Sequence, residues 1–325
     1  MRQPPALAAA PDGASRPAAE RWRPWLRATL LLTGLVVAVR LLAPQAEEVP
    51  ASLTAILDAH PGWLVVAVGL AFLPYLAAAL ALQGAVPQRL PYRHLTQIQV
   101  AGAFATVIAP AGLATLALTA RYLDRAGVPR AQAVAAVATA RIATTAGHLL
   151  LLVLLAPIAL DHVTLNAPPP HWLLPATATA TGIATILRRS PTARARTATL
   201  NAWIGDPLRQ VAPNGPRAGL LAGGSMAISA TRAMTLYACL LTLGAQAPLL
   251  VVIALFLTAE AAGMLTTSPA GLGVMDGIAI TGLATLGVAT ATAIAAILLF
   301  RLLTFWTPII PGALTLWRLH HHRLV

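Results

Sequence analysis

The sequence contains no lysine, a single cysteine and few acids, and only 10% of its 325 residues are charged. A soluble domain carries about 25% charged residues. With so few, the polar cover that a water-facing surface needs is missing. The lone cysteine, Cys239, excludes an intrachain disulfide and a cysteine-ligated metal centre. It sits inside an apolar block and reads as a small buried hydrophobe. There is no Ser/His/Asp constellation, no phosphate-binding glycine loop and no defensible metal-ligand spacing. No cofactor, metal or catalytic role is therefore expected, and no nucleotide site that would power the protein with ATP.

What is present is apolar. Hydrophobic residues make up 58% of the chain and the mean hydropathy is +0.74. They run in blocks near the length of about 20 residues that crosses a bilayer. The expected fold class is an all-α integral membrane protein. The formal net charge is +12, carried entirely by arginines on the basic side. Most of these arginines lie in short loops between apolar blocks, where positive charge marks the cytoplasmic face. No basic domain separates from the apolar blocks, so a nucleic-acid partner is not expected. Anionic lipid headgroups are a better match.

Loop charge orders the blocks. Residues 1–25, rich in Pro and Ala at the start, read as a disordered cytoplasmic tail. Residues 28–43 form a first span leaving the cytoplasm; the acidic, Arg-free loop 44–61 suits the outside, and 62–85 returns. The apolar stretch 95–118 is broken by Pro110 and Gly112 and has arginines on both sides, which reads as a re-entrant hairpin from the cytoplasmic face. Residues 131–157 cross outward and 171–187 inward to the basic loop 188–217. Residues 218–243 cross outward. The stretch 249–284 is broken by Ser268-Pro269-Ala270-Gly271 and has no basic residue at either end, which reads as a second hairpin dipping from the outside. Residues 288–314 cross inward to the basic tail 315–325. The membrane domain is thus 26–314, with both termini cytoplasmic in a multi-pass protein of a cell membrane. The plainer alternative at each break is an ordinary kinked helix.

This order of about six spans and two hairpins divides into four elements and four of opposite orientation, 26–157 and 171–314. The string PAGL occurs at 110–113 and 269–272, and AVAAV at 133–137 matches AIAAI at 293–297, offsets of 159 and 160. Arg141 and Arg301 follow the second pair at matching places. Inverted repeats with Gly/Pro-broken segments at corresponding positions are a transporter architecture, and their broken segments line the site near the midplane.

Arg141, Arg232 and Arg301 fall near the middle of their spans, a depth at which a charge costs several kcal/mol. Glu260 and Asp276, flanking the second break, are the acids at comparable depth. The five residues read either as structural ion pairs or as a cluster with one excess positive charge. The fork of an arginine suits phosphate oxygens, so the second reading points to a phosphate-bearing lipid. The substrate-binding candidates are these five together with the hairpin tips Pro110, Gly112, Ser268, Pro269, Gly271 and Gly273. Ser268 before Pro269 has the form of a helix N-cap and first helical residue, an arrangement that can hold an anion. His148 reads as a packed residue, and His320 to His322 as a polar tail at the headgroup level.

The segments SPAGLGVMDG (268–277) and LLFRLLTFWTPIIPG (298–312) resemble the flippase-like family to which the transmembrane domain of lysylphosphatidylglycerol synthase belongs. PAGLATLALTARYLDRAGVPRAQA (110–133) is similar to that family's other signature. The resemblance places Gly271, Gly273, Val274 and Asp276 on the glycine-rich, aliphatic and acidic positions that follow the second proline, and Arg301 on the arginine of the last span. At the first hairpin the chain departs: Leu113 and Thr115 stand where many members have a basic and an acidic residue. The chain ends at Val325 without room for the soluble aminoacyl-transfer domain of the bifunctional synthases. The resemblance therefore implies a stand-alone domain that translocates or binds lipid, with an anionic phospholipid or a polyprenyl phosphate as its partner. An intramembrane enzyme acting on a lipid phosphate, using Asp276 or Glu260, and a non-transporting assembly or regulatory protein are the alternatives.

Overall fold

The structure, a computed structural model, describes residues 60–108, 113–162, 214–264 and 273–322. Among these residues it is all-helical, as the composition requires: in hydrocarbon every backbone N–H and C=O must be satisfied inside its own segment. The helices are α1 (Pro61–Ala85), α2 (Tyr92–Ile108), α3 (Leu113–Arg125), α4 (Arg130–His162), α5 (Gly215–Thr242), α6 (Leu249–Met264), α7 (Val274–Thr285), α8 (Thr290–Arg301) and α9 (Ile309–His321). A π-helical turn, Leu302–Trp306, joins α8 to α9. Pro308 follows it. A proline has no N–H to donate and its ring crowds the carbonyl four residues back. The helix widens ahead of it, and Thr307 N–H donates to the Leu302 carbonyl at 2.8 Å instead.

Among the described residues three helices are long and apolar enough to cross a membrane: Pro61–Ala85, Arg130–Leu155 and Thr290–His321. They coincide with the expected spans 62–85, 131–157 and 288–314, except that the last continues past Leu314 into the expected tail. Helix α5 matches the expected 218–243 in length but interrupts its apolar run with Arg232. It begins at Gly215, so the end of the expected basic loop is already helical. The spans at 28–43 and 171–187, the tail 1–25 and most of the loop 188–217 lie outside the described residues.

Both expected breaks fall between helices, and the chain folds back at each. Thr115 Oγ1 on α3 donates to the Gly102 carbonyl of α2 at 3.0 Å. In one continuous helix these residues would stand about 20 Å apart. Likewise Gly282 of α7 lies directly against the Leu255 side chain of α6. The breaking residues Pro110, Gly112, Ser268, Pro269 and Gly271 lie outside the described residues.

The turns that follow have the same form twice. Gly127 and Gly287 take φ of +88° and +85°, the left-handed region where glycine is strain-free. Behind them Val128 N–H donates to the Leu123 carbonyl at 3.0 Å and Val288 N–H to the Leu283 carbonyl at 3.1 Å. These are Schellman-type closures of α3 and α7.

Helices α1 and α5 form the central pair and run antiparallel. His60 N–H at the start of α1 donates to the Thr242 carbonyl at the end of α5 (2.7 Å). At the other end Arg217 Nη2 donates to the Ala85 carbonyl at 3.3 Å. Glycines bring the backbones into contact, as small residues do between membrane helices. A Cβ on Gly224 would stand 2.5 Å from Ala81 N and 2.7 Å from the Ala77 carbonyl, and one on Gly84 2.6 Å from the Arg217 carbonyl. None of these backbone atoms can rotate away. Gly224→Ala is therefore expected to cost about 1–3 kcal/mol, the range for overpacking. Gly223→Ala, with open space around it, should stay within about 0.5 kcal/mol. Equal melting of the two variants in detergent would refute this packing.

Around the central pair α4 packs on α6, and α9 packs on α2. Gly312 of α9 fits against the Val100 carbonyl and Phe104 of α2. The outer surfaces are apolar: Ile142, Leu149, Leu150, Val153 and Leu154 of α4 and Ile310, Leu314 and Trp317 of α9 are all exposed. Such continuous faces suit lipid rather than water.

Candidate functional site

Helix α7 begins just past the second break. Its N-cap, Gly273, has φ of +93°, and the carboxylate of Asp276 in the first turn accepts the Gly273 N–H at 3.1 Å through Oδ2. A negative charge is favourable at this end of a helix. The other oxygen, Oδ1, accepts from Arg301 Nε at 2.8 Å and lies 2.7 Å from Arg301 Nη2. The side chains are 8% and 10% exposed. Arg301 Nη2 also reaches Met275 Sδ at 3.5 Å. The pair ties the end of α8 to the start of α7.

A second polar cluster joins α4, α5 and α6. Arg232 donates to Glu260 Oε1, and its guanidinium lies 5.9 Å from the centroid of Phe256. His148, fully buried on α4, places Nε2 3.0 Å from the Leu257 carbonyl. Its Nδ1 lies 3.0 Å from Ser229 Oγ and 3.4 Å from Glu260 Oε2. Phe256 packs edge-on against Phe300 at 5.5 Å between centroids. Since Phe300 precedes Arg301, an aromatic pair connects the two clusters.

Arg141 stands apart. It is exposed on α4, and its guanidinium has no ion-pair partner among the described residues. The sequence shows why. The offset that carries Arg141 to Arg301 carries Leu116 to Asp276, so the first half holds an apolar residue where the second half holds the acid.

Of the residues expected to form one cluster, the structure joins Arg232 to Glu260 and Arg301 to Asp276 as two pairs and leaves Arg141 outside both. The tips Pro110, Gly112, Ser268, Pro269 and Gly271 lie outside the described residues. The expected Ser268–Pro269 helix start is among them; within the described residues α7 begins at Val274, where a positive-φ glycine and the Asp276 carboxylate supply the cap. His148 was read as a packed residue and is one, but it is also part of the Glu260 cluster, with Ser229. Its sequence signal is spacing: Ser229 lies one turn before Arg232, and Leu257 one turn before Glu260. Cys239 is buried, as expected for a small hydrophobe.

No curated protein matches the chain. The family model described as the lysylphosphatidylglycerol synthase TM region matches residues 26–312. The chain belongs to that family, which associates it with the membrane and with membrane-lipid chemistry.

Proposed function

We propose that this family member is a flippase-like carrier that translocates a phosphate-bearing lipid, an anionic phospholipid or a polyprenyl phosphate, across a cell membrane. The observation that carries this reading is the guanidinium of Arg141, exposed in the apolar helix α4 with no ion-pair partner among the described residues. A charge at such depth needs water or an anion, and the planar fork of arginine matches phosphate oxygens.

The packing supports an inverted repeat as the scaffold. In the repeat register α1 to α4 correspond to α5, α6, α7 and α8–α9. The corresponding helices α1 and α5 run antiparallel, as a two-fold axis in the membrane plane demands. The contacts of α4 with α6 and of α9 with α2 are the same contact exchanged between halves. The fold-backs of α2 on α3 and of α6 on α7 support the two re-entrant hairpins. In such proteins one half rocks against the other around a site near the midplane. The headgroup would pass between the halves while the acyl chains stay in lipid. The arginines of 188–217 support a cytoplasmic position for that loop, and with it for both termini.

The enzyme alternative needs a free base near the phosphate. Asp276 is held by Arg301, and Glu260 is bound through Oε1 to Arg232 in a buried cluster, which favours the carrier. Proteoliposomes containing headgroup-labelled phosphatidylglycerol provide the test. The expected result is a change in the label's accessibility to an impermeant quencher, with the lipid chemically unchanged. A new lipid product would establish the enzyme instead, and neither change would leave an assembly or regulatory role.

A further inference from the structure

The buried cluster around His148 contains an unmet requirement. The Leu257 carbonyl can only accept, so His148 Nε2, 3.0 Å away, carries a hydrogen. In a neutral ring Nδ1 is then a bare lone pair, accepting from Ser229 Oγ at 3.0 Å. Glu260 Oε2 lies 3.4 Å from that same nitrogen. It is buried and has no hydrogen-bond partner among the described residues, while Oε1 is taken by Arg232. Two acceptors thus face each other in a buried interior, where an unsatisfied carboxylate oxygen is costly.

We propose that His148 and Glu260 form a buried, reversible proton-binding site, and that H⁺ is the coupling ion of the carrier; the coupling, though not the site, rests on the carrier reading above. A proton from hydronium forms an N–H bond with the Nδ1 lone pair and leaves water behind. The imidazolium then donates to Glu260 Oε2, and the orphan oxygen is satisfied. Loss of the proton to water restores the facing lone pairs. The site changes the net charge of the cluster by one: with the proton, Arg232 and His148 carry two positive charges against one carboxylate; without it, Arg232 and Glu260 cancel.

The charged and titratable neighbours are few. Helix α5 contributes Arg232 and the Ser229 hydroxyl, and α6 contributes Glu260. Tyr75 of α1 lies beside Arg232. Beyond the Phe256–Phe300 pair, the Arg301–Asp276 pair of α8 and α7 is internally neutral. Arg141 on α4 is exposed two turns before His148. Arg232 alone adds positive charge next to the site, and Glu260 already answers it. Ser225, one turn below Ser229 on α5, has a buried hydroxyl with no hydrogen-bond partner among the described residues, which continues the polar track toward the start of that helix.

The test uses the full chain reconstituted in vesicles of phosphatidylglycerol and phosphatidylcholine. A pH-difference infrared spectrum of the wild type should contain imidazole and carboxyl bands that titrate together. Those bands should be lost in His148→Gln and in Glu260→Gln. In the latter Arg232, 31% exposed, can hydrate. Where either variant does not fold, Ser229→Ala decides: it removes only the competing hydroxyl and should shift the titration midpoint. A spectrum identical to wild type in the folded variants, or an unmoved midpoint in Ser229→Ala, overturns the site. Coupling is read separately from headgroup exposure with and without an imposed pH gradient. A wild-type rate that ignores the gradient overturns coupling, and a gradient effect lost in His148→Gln supports it. Absence of any lipid movement refutes the carrier while the infrared result still decides the proton site.

Discussion

Asp276→Ala is expected to be the most destabilising single substitution among the polar residues, by about 3–5 kcal/mol, the cost of removing one partner from a buried ion pair. Arg301 would keep its charge in a pocket where only 8% of its side chain is exposed. The Gly273 N–H at the cap of α7 would lose its acceptor as well. Arg301→Gln should cost somewhat less, because the remaining carboxylate keeps the backbone N–H. The double substitution Arg301→Gln, Asp276→Asn should recover most of the loss, since two neutral amides can still meet and no charge is left uncompensated. Replacing an ion pair by matched neutral groups is often close to neutral in stability. Melting in detergent measures all of this, and an additive double variant would refute the pair as a coupled unit. The transport assay then assigns the role. From sequence, depth and resemblance placed Arg301 at the headgroup. Its burial, with Nε and Nη2 both turned to one carboxylate oxygen, suits a latch between α8 and α7. Recovery of translocation in the double variant is the expected outcome; persistent loss in a protein of normal stability would return Arg301 to the ligand.

The latch shows where legibility ends. The breaks in α2–α3 and α6–α7 were readable because Pro and Gly interrupt otherwise apolar runs, and backbone that cannot continue a helix must turn. The spacing of PAGL and of the Ala-rich runs also agrees with one structural fact, the matching positive-φ turns at Gly127 and Gly287. The place of each charged residue along its helix followed from counting. Direction did not. The rotation of α4 that turns Arg141 outward and His148 inward is set by packing against α5 and α6, from chain segments far away in sequence: Ser229 lies 81 residues from His148 and Leu257 lies 109. The aromatic bridge between the clusters was equally hidden, because Phe256 and Phe300 each look like ordinary core residues until their helices are placed. The cap at Val274 has a local cause, a positive-φ glycine with a carboxylate three residues on, while the expected Ser268–Pro269 start lies outside the described residues.

The asymmetry between the halves gives the remaining prediction its force. Two arginines occupy corresponding places, and one has an acid while the other has Leu116 in the acid's position. If the protein needed both arginines only for folding, the exposed one would be dispensable. Arg141→Ala removes no ion pair and leaves no buried group behind, so its melting should stay within about 0.5 kcal/mol of the wild type. Its translocation of headgroup-labelled phosphatidylglycerol should fall by roughly ten- to a hundredfold. A hydrogen bond to a charged group contributes about 1.5–3 kcal/mol, and about 1.4 kcal/mol is a factor of ten. Arg141→Lys should fall between the two, since an ammonium keeps the charge but not the planar fork that grips two phosphate oxygens. Arg141→Gln, with neither charge nor fork, should resemble alanine. The order Arg, Lys, then Gln and Ala at constant stability is the signature of a phosphate contact. A wild-type rate in Arg141→Ala would show that the lipid passes elsewhere. A rate restored fully by lysine would reduce the role of Arg141 to its charge, attracting anionic headgroups toward the gap between the halves without gripping them.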